Sequence, residues 1–316
     1  MRKIYLLTFV FLASCYLVKA QNFQISGGNN FSAAVCDNQV VFTWGANTQS
    51  QLGIDLNDDP FTEDFRNVPA AVRRGNVSQT AGGLEYGLLP PIRQVDAGSG
   101  AHILGLDCDD HVWAWGNGEN GQLGRATFAT SAVPQRVLRG EQAANPGAND
   151  PNGIFLSNIF YVGGGNNSSF GIEIGTGRVL AWGQNTNGQL GVGNTVDQDV
   201  PRYVRRSAAE GGGILENIVQ VRAGDDCTYA LDADGFVWSF GNNNGHKLGR
   251  PTAVNINPTA GRVVKGAPLN NGYSATPVPL QFLDNITQIS GGDTHCLALD
   301  EDGTVWSFGG DWGQGQ

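Results

Sequence analysis

Basic residues are in short supply: 19 Lys and Arg stand against 29 Asp and Glu, a formal net charge of -10. A surface of that sign repels phosphate backbones, so general nucleic-acid binding is disfavoured. Long apolar runs are missing after Val18, and no later segment has the roughly 20 apolar residues that a membrane-spanning helix needs. A 3.6-residue apolar period is missing too, which excludes a helical solenoid. Cysteine is sparse and never forms CxxC. Beyond Cys15, the four cysteines Cys36, Cys108, Cys227 and Cys296 each fall in a different stretch of chain. Unbridged thiols are the simpler reading, and pairing in an oxidising compartment is the alternative. His102, His111, His246 and His295 show no short metal-ligand spacing, and GxSxG elbows, Walker loops and dinucleotide fingerprints are lacking. No metal, cofactor or catalytic residue is expected.

What is present begins with a leader. Met1-Arg2-Lys3 precedes an apolar run from Ile4 to Val18, the layout of a secretory signal peptide. Cleavage after Ala20 would start the mature chain at Gln21, giving residues 1–20 as signal and 21–316 as the working domain. Leu12-Ala13-Ser14-Cys15 offers a second reading, a lipobox whose Cys15 anchors the protein to a membrane. The expected location is therefore secreted, periplasmic or extracellular, with a lipid anchor through Cys15 as the alternative.

The 46 glycines recur in register. An aromatic–glycine pair appears five times: Trp44-Gly45, Trp115-Gly116, Trp182-Gly183, Phe240-Gly241 and Phe308-Gly309. The second and third pairs lead to Gly-Gln-Leu-Gly, the first to Gln51-Leu52-Gly53 and the fourth to Lys247-Leu248-Gly249. Before each pair run two alternating apolar stretches around a tight turn, such as Asp232-Ala233-Asp234-Gly235, a strong hairpin signal. A strand ending in glycine precedes each hairpin, for example Gln94-Val95 before Gly98. A fourth strand opens with proline at Pro69, Pro134, Pro201 and Pro277, where a missing backbone donor suits a sheet edge. Pro251 to Thr276 reads as an irregular loop. Four short antiparallel strands per repeat give an all-β propeller, five repeats of it visible. Asp232 and Asp300 open turns that faintly resemble calcium loops, but the distal acid is missing and hairpin turns explain them.

The strand ending in glycine, the Asp-Gly hairpin, the aromatic–glycine pair and Gly-Gln-Leu-Gly together resemble the regulator-of-chromosome-condensation repeat. The resemblance runs from Phe23 to Gln316, and His102 and His295 fall where that repeat often carries histidine. It implies a ring of seven blades. With five copies visible, the expectation is a chain that continues for about two blades beyond Gln316 and is monomeric once its ring is complete; closure with five blades is the alternative.

Three segments between the outer strand of one blade and the next repeat, 73–91, 138–157 and 205–217, are long and should gather on one face. They carry the expected binding residues: Arg74, Arg139 and Arg206, suited to carboxylate or sulfate, and the aromatic residues Tyr86 and Phe155. Charged edges that resist sheet pairing are the plainer account of the arginines. The functional expectation is an exported, non-catalytic scaffold that presents loops to a protein or glycan. Alternatives are an exported enzyme acting on polysaccharide at the propeller mouth and, least in keeping with the charge and leader, nucleotide exchange on a small GTPase.

Overall fold

The computed structural model describes residues 24–54, 64–74, 87–143, 152–265 and 281–310. The leader with Cys15, and the loop residue Tyr86, lie outside them. The described residues form four antiparallel sheets of four strands, ordered as in the chain, and a fifth of three. These are the expected blades. The first blade is Gln24–Gly27, Phe31–Val35, Val41–Ala46 and Phe65–Ala71. The second is Ile92–Gly98, His102–Asp107, Val112–Gly116 and Ser131–Arg136, and the third Ile159–Gly164, Ser168–Glu173, Val179–Gly183 and Gln198–Tyr203. The fourth is Ile218–Ala223, Cys227–Asp232, Val237–Asn242 and Ile256–Arg262; the fifth is Ile286–Gly291, His295–Asp300 and Val305–Gly309.

The first three outer strands begin at Phe65, Ser131 and Gln198, so the prolines read as opening them lie inside them, where the register with the third strand shifts. The fourth outer strand is elsewhere in the chain. In the fourth blade it is Ile256–Arg262, inside the stretch read as an irregular loop, whereas 277–280 lies outside the described residues. Register explains the slip. Pairing with the third strand puts Ala260 where the second and third blades have Pro134 and Pro201, so the proline marker was absent from this copy.

The two middle strands of blades two, three and four are buried at every position. Their alternation separates one neighbouring blade from the other, not core from solvent. Ile103, Trp113 and Trp115 of the second blade pack with Phe31, Ala33 and Leu52 of the first. Leu104, Leu106 and Val112 pack with Ile159, Val162 and Trp182 of the third.

Two glycines per repeat permit this packing. The glycine of each aromatic–glycine pair has φ between +90° and +108°, and an added Cβ would lie 2.3–2.5 Å from the carbonyl oxygen that precedes its own blade's second strand. The glycine after each buried leucine touches the next blade. A Cβ on Gly53 would meet the Trp115 indole at 2.6 Å, on Gly124 that of Trp182 at 2.9 Å, on Gly191 the Phe240 ring at 2.7 Å and on Gly249 the Phe308 ring at 2.6 Å. Thus each Leu-Gly turn docks beneath the aromatic residue of the following blade. The contact is polar as well: the Gln122 carbonyl accepts from Trp182 Nε1 at 2.9 Å and Ser169 Oγ at 2.8 Å, and the Gln189 carbonyl accepts from Thr228 Oγ1 at 2.8 Å.

At the inner strands a glutamine spans the gap between blades. Gln94 donates to the Val162 carbonyl at 2.7 Å and accepts its N–H at 3.2 Å; Gln220 does the same with Ile289, at 3.2 and 3.1 Å. Gln24 accepts from Val95 N at 3.0 Å. In the third blade Tyr161 replaces the glutamine and its hydroxyl donates to the Val221 carbonyl at 2.8 Å. A second rung lies beside it: Ser26 Oγ accepts from Ala97 N at 2.9 Å and Asp96 Oδ1 from Gly164 N at 3.2 Å. Burial raises the Asp96 carboxyl to about 6, against the opposing pull of the Gly164 N–H and the Arg222 charge. His102, buried between blades with Nε2 3.0 Å from Ser169 Oγ, is lowered to about 4 by the same desolvation.

Substituting Gly183 by Ala is expected to cost about 2–4 kcal/mol in denaturant unfolding, because strain at φ +104° adds to a backbone clash. Gly175→Ala, at φ +80° with nothing within 4 Å, should lose only about 1 kcal/mol. Similar losses at the two sites would contradict the packing described.

Acid stability should carry two opposed slopes. Asp96 binds its proton at higher pH folded than unfolded, so its part of the stability is present at pH 4 and is lost as pH rises toward 6. His102 binds its proton at lower pH folded, so its part is lost as pH falls from 6.5 toward 4. Asp96→Asn should therefore steepen acid destabilisation in that window relative to the parent, and His102→Gln should reverse it. Parallel pH curves for the parent and both variants would refute the assignment.

Candidate functional site

Alternating strand direction gives the propeller two faces. On one lie the turns from inner to second strand and the loops from third to outer strand. On the other lie the hairpin turns between the second and third strands and the long segments that lead to the next blade.

On the hairpin face, Asp107 Oδ1 accepts two turn N–H groups, of Asp109 at 3.0 Å and His111 at 2.8 Å, while Oδ2 accepts Trp113 Nε1 at 2.8 Å. Asp232 with Trp238 and Asp300 with Trp306 repeat the arrangement, their indole bonds being 2.8 and 2.9 Å. Where the tryptophan is absent, so is the aspartate. Cys36 goes with Phe42, and Glu173, bonded instead to Tyr203 at 2.8 Å and Thr176 at 3.1 Å, goes with Leu180. The turn carboxylates are thus engaged inside the blades.

The long segments end in small hairpins at one repeated place. Arg73–Arg74 pairs with Gly87–Leu88, Val264–Lys265 with Gln281–Phe282, and single bridges join Leu138 to Phe155 and Arg205 to Ile214. Each follows a buried valine: Val72, Val137, Val204 or Val263. One step further the chain is basic in all four blades, at Arg74, Arg139, Arg206 and Lys265. With its outer strand correctly placed, the fourth blade joins the series that the sequence reading closed at three. Lys265 Nζ lies 2.5 Å from Asp284 Oδ1. Phe155 lies 5.2 Å from the guanidinium of Arg136, which also covers Trp113 at 5.4 Å; Arg262, Trp238 and Phe282 repeat this stack. Of the binding residues expected from sequence, Arg74, Arg139, Arg206 and Phe155 belong to this face.

Acids in the same segments reach across to the next blade. Glu141 accepts from Arg202 at 3.0 Å and from Tyr203 N at 3.0 Å, and lies 3.5 Å from Arg205. Glu210 accepts from Arg262 Nε at 2.9 Å. These latches were not visible in the sequence, because the glutamates occupy no repeated motif and their partners are 61 and 52 residues away.

The opposite face has a different character. Equivalent turn positions place Asn29, Asn166, Asp225 and Asp293 around the mouth, with Asn166 donating to Asp225. Asp226 is held by Lys247 at 2.7 Å and Asn242 at 2.9 Å. Further out, the third-to-outer loops of three successive blades expose Phe128, Val196 and Val254, at 50%, 65% and 61% of their surface. An apolar arc thus borders an acidic and amide-rich mouth. Among the described residues no three His, Cys, Asp or Glu side chains form a group that could hold a metal ion.

The profile of the regulator of chromosome condensation (RCC1) repeat matches residues 109–170, 176–231 and 234–299, more than half of the chain, and a second profile of that repeat matches 92–122 and 286–316. Protein pim1 of Schizosaccharomyces pombe is 31% identical over 89% of this chain and 45% of its own length. The human probable E3 ubiquitin-protein ligase HERC6 is 30% identical over 90% of this chain and 23% of its own. The chain therefore spans under half the length of these relatives. Among solved structures, human WBSCR16 superposes with a TM-score of 0.67 at 21% identity, covering 93% of this chain and 64% of that one. Prp20p of Saccharomyces cerevisiae, studied for its binding to Gsp1p and histones, gives 0.51 at 19% identity, covering 90% and 71%. Blade architecture, repeated glycine contacts and profile matches agree, and the chain belongs to the regulator of chromosome condensation repeat family.

Proposed function

We propose that this propeller is an exported, non-catalytic scaffold that binds a protein partner on the mouth face. The observation that carries the reading is the arc of Phe128, Val196 and Val254, exposed at matching loops of three successive blades. Scattered exposed apolar residues are ordinary, but their recurrence at the same loop of three successive blades beside polar groups supports a protein interface. Related propellers favour a protein over a glycan: one solved structure is Kap60 bound to yeast RCC1, and Prp20p is described with Gsp1p and histones. The export part of the reading rests on the leader Met1–Ala20, while the acidic balance of the chain weighs against a nucleic-acid partner.

The arginine-bearing face is the second site to weigh, favoured by the basic position that recurs at Arg74, Arg139 and Arg206. Its neighbours Arg202 and Arg262 are already latched to glutamates, which leaves less free charge for a ligand.

The experiment is capture of partner protein from the native extracellular medium by the full chain. Replacing Phe128, Val196 and Val254 together by Ser should weaken capture at least tenfold, with folding checked by thermal melt. Arg139→Ala with Arg206→Ala should leave capture within about twofold. The reverse pattern would move the site to the arginine face, and retention of the protein inside the cell would refute export.

A further inference from the structure

The fold brings two of the four cysteines to one buried boundary. Cys227 pairs in register with Gly241, as His102 does with Gly116; Cys296 pairs with Phe308, as Ser169 does with Trp182. Cys227 and Cys296 therefore occupy, across the boundary between blades four and five, the places that His102 and Ser169 hold across the boundary between blades two and three. That earlier pair meets at 3.0 Å through the His102 imidazole, which reaches further than a thiol. Both cysteines are fully buried. Cys227 Sγ lies 3.3 Å from the Tyr229 hydroxyl and 3.8 Å from the Asp293 carbonyl of the fifth blade. Tyr229 in turn meets Phe308, the residue opposite Cys296, edge-on at 5.6 Å. Both cysteines belong to one buried cluster with Tyr229, against which Phe308 packs, and both are free thiols in this structure.

We propose that Cys227 and Cys296 form an oxidisable pair that closes to a disulfide between the fourth and fifth blades. The expectation that they are oxidised in the native protein rests on the export reading; their capacity to pair does not. The chemistry needs a disulfide oxidant, of the kind supplied by oxidised glutathione or a thiol oxidoreductase. One cysteine thiolate attacks the oxidant, forming a mixed disulfide and releasing one small thiolate. The second cysteine thiolate then attacks the mixed disulfide at the protein sulfur, forming the Cys227–Cys296 bond and releasing the other small thiolate. Two electrons pass from the cysteines to the oxidant, and its two sulfurs end protonated.

Burial sets when this can happen. Desolvation pushes the Cys227 thiol up to about 11 and the Cys296 thiol further in the same direction. Thiolate is therefore scarce once the blades have docked, and closure belongs to folding, before the boundary seals. Cys36 and Cys108 differ. Both are half-buried, and Cys108 accepts a bond from Gln39 at 3.3 Å, which makes them internal references for thiol reactivity.

The test is refolding of the purified full chain with oxidised and reduced glutathione, then alkylation in denaturant and peptide mass mapping. The expected result is a linked peptide pair containing Cys227 and Cys296, lost in Cys227→Ser and in Cys296→Ser. Reduction should lower Tm by roughly 5 °C or more in the parent and leave the double Ser variant unmoved. Alkylation of both cysteines after oxidative refolding, or their linkage to Cys36 or Cys108 instead, would overturn the proposal. A bond that forms in vitro but is missing from protein taken from its host would support the pair and count against export.

Discussion

Each of the four boundaries between the described blades depends on a close approach between a glycine turn and the aromatic residue of the next blade. Gly53, Gly124, Gly191 and Gly249 leave no room for a methyl group against that ring, and the leucine before each is wholly buried. Dispersion and burial at this contact set the distance between blades, and the other contacts work at the distance so set. At the inner strands that distance is too great for direct strand pairing and suits a glutamine side chain, which mimics a peptide group with one donor and one acceptor. At the outer strands it is bridged by Glu141 and Glu210.

The two faces divide the chemistry between them. The hairpin face spends its carboxylates on turns and tryptophans, and several of its arginines on stacks and latches. Its basic series is continuous over four blades but lies amid internal partners. On the mouth face amides and carboxylates ring the opening, several of them bonded to one another or to Lys247, and apolar loop tips stand outside them. Binding geometry on a rigid scaffold comes from such loops, whose side chains vary while the blades hold position.

Much of this was legible in the sequence because the repeat supplied its own controls. The aromatic–glycine pairs located the third strands, and the Asp-Gly turns located the hairpins. Prolines marked three outer strands and failed in the fourth, where Ala260 stands in their place. The inner glutamines were present in plain view at Gln24, Gln94 and Gln220, but their role was not, since a side chain bridging to a backbone 68 residues away leaves no local pattern. The arginine series was noticed and cut one blade short for the same reason as the outer strand. The apolar loop tips Phe128, Val196 and Val254, four or five residues after the Leu-Gly turns of their blades, were missed because that stretch carries no repeated motif of its own.

The inner rungs also have a direction. Gln24, Gln94, Gln220 and Tyr161 each reach from an earlier blade to the backbone of the later one, and the Leu-Gly turns dock the same way. The boundaries are therefore heterologous, with a giving side and a receiving side that are never interchanged. A stack built on such joints has a head and a tail. Two copies of a blade could not meet symmetrically through these surfaces, and any assembly using them propagates in one rotational sense, as a ring where the rotation between blades closes and as an open helix where it does not.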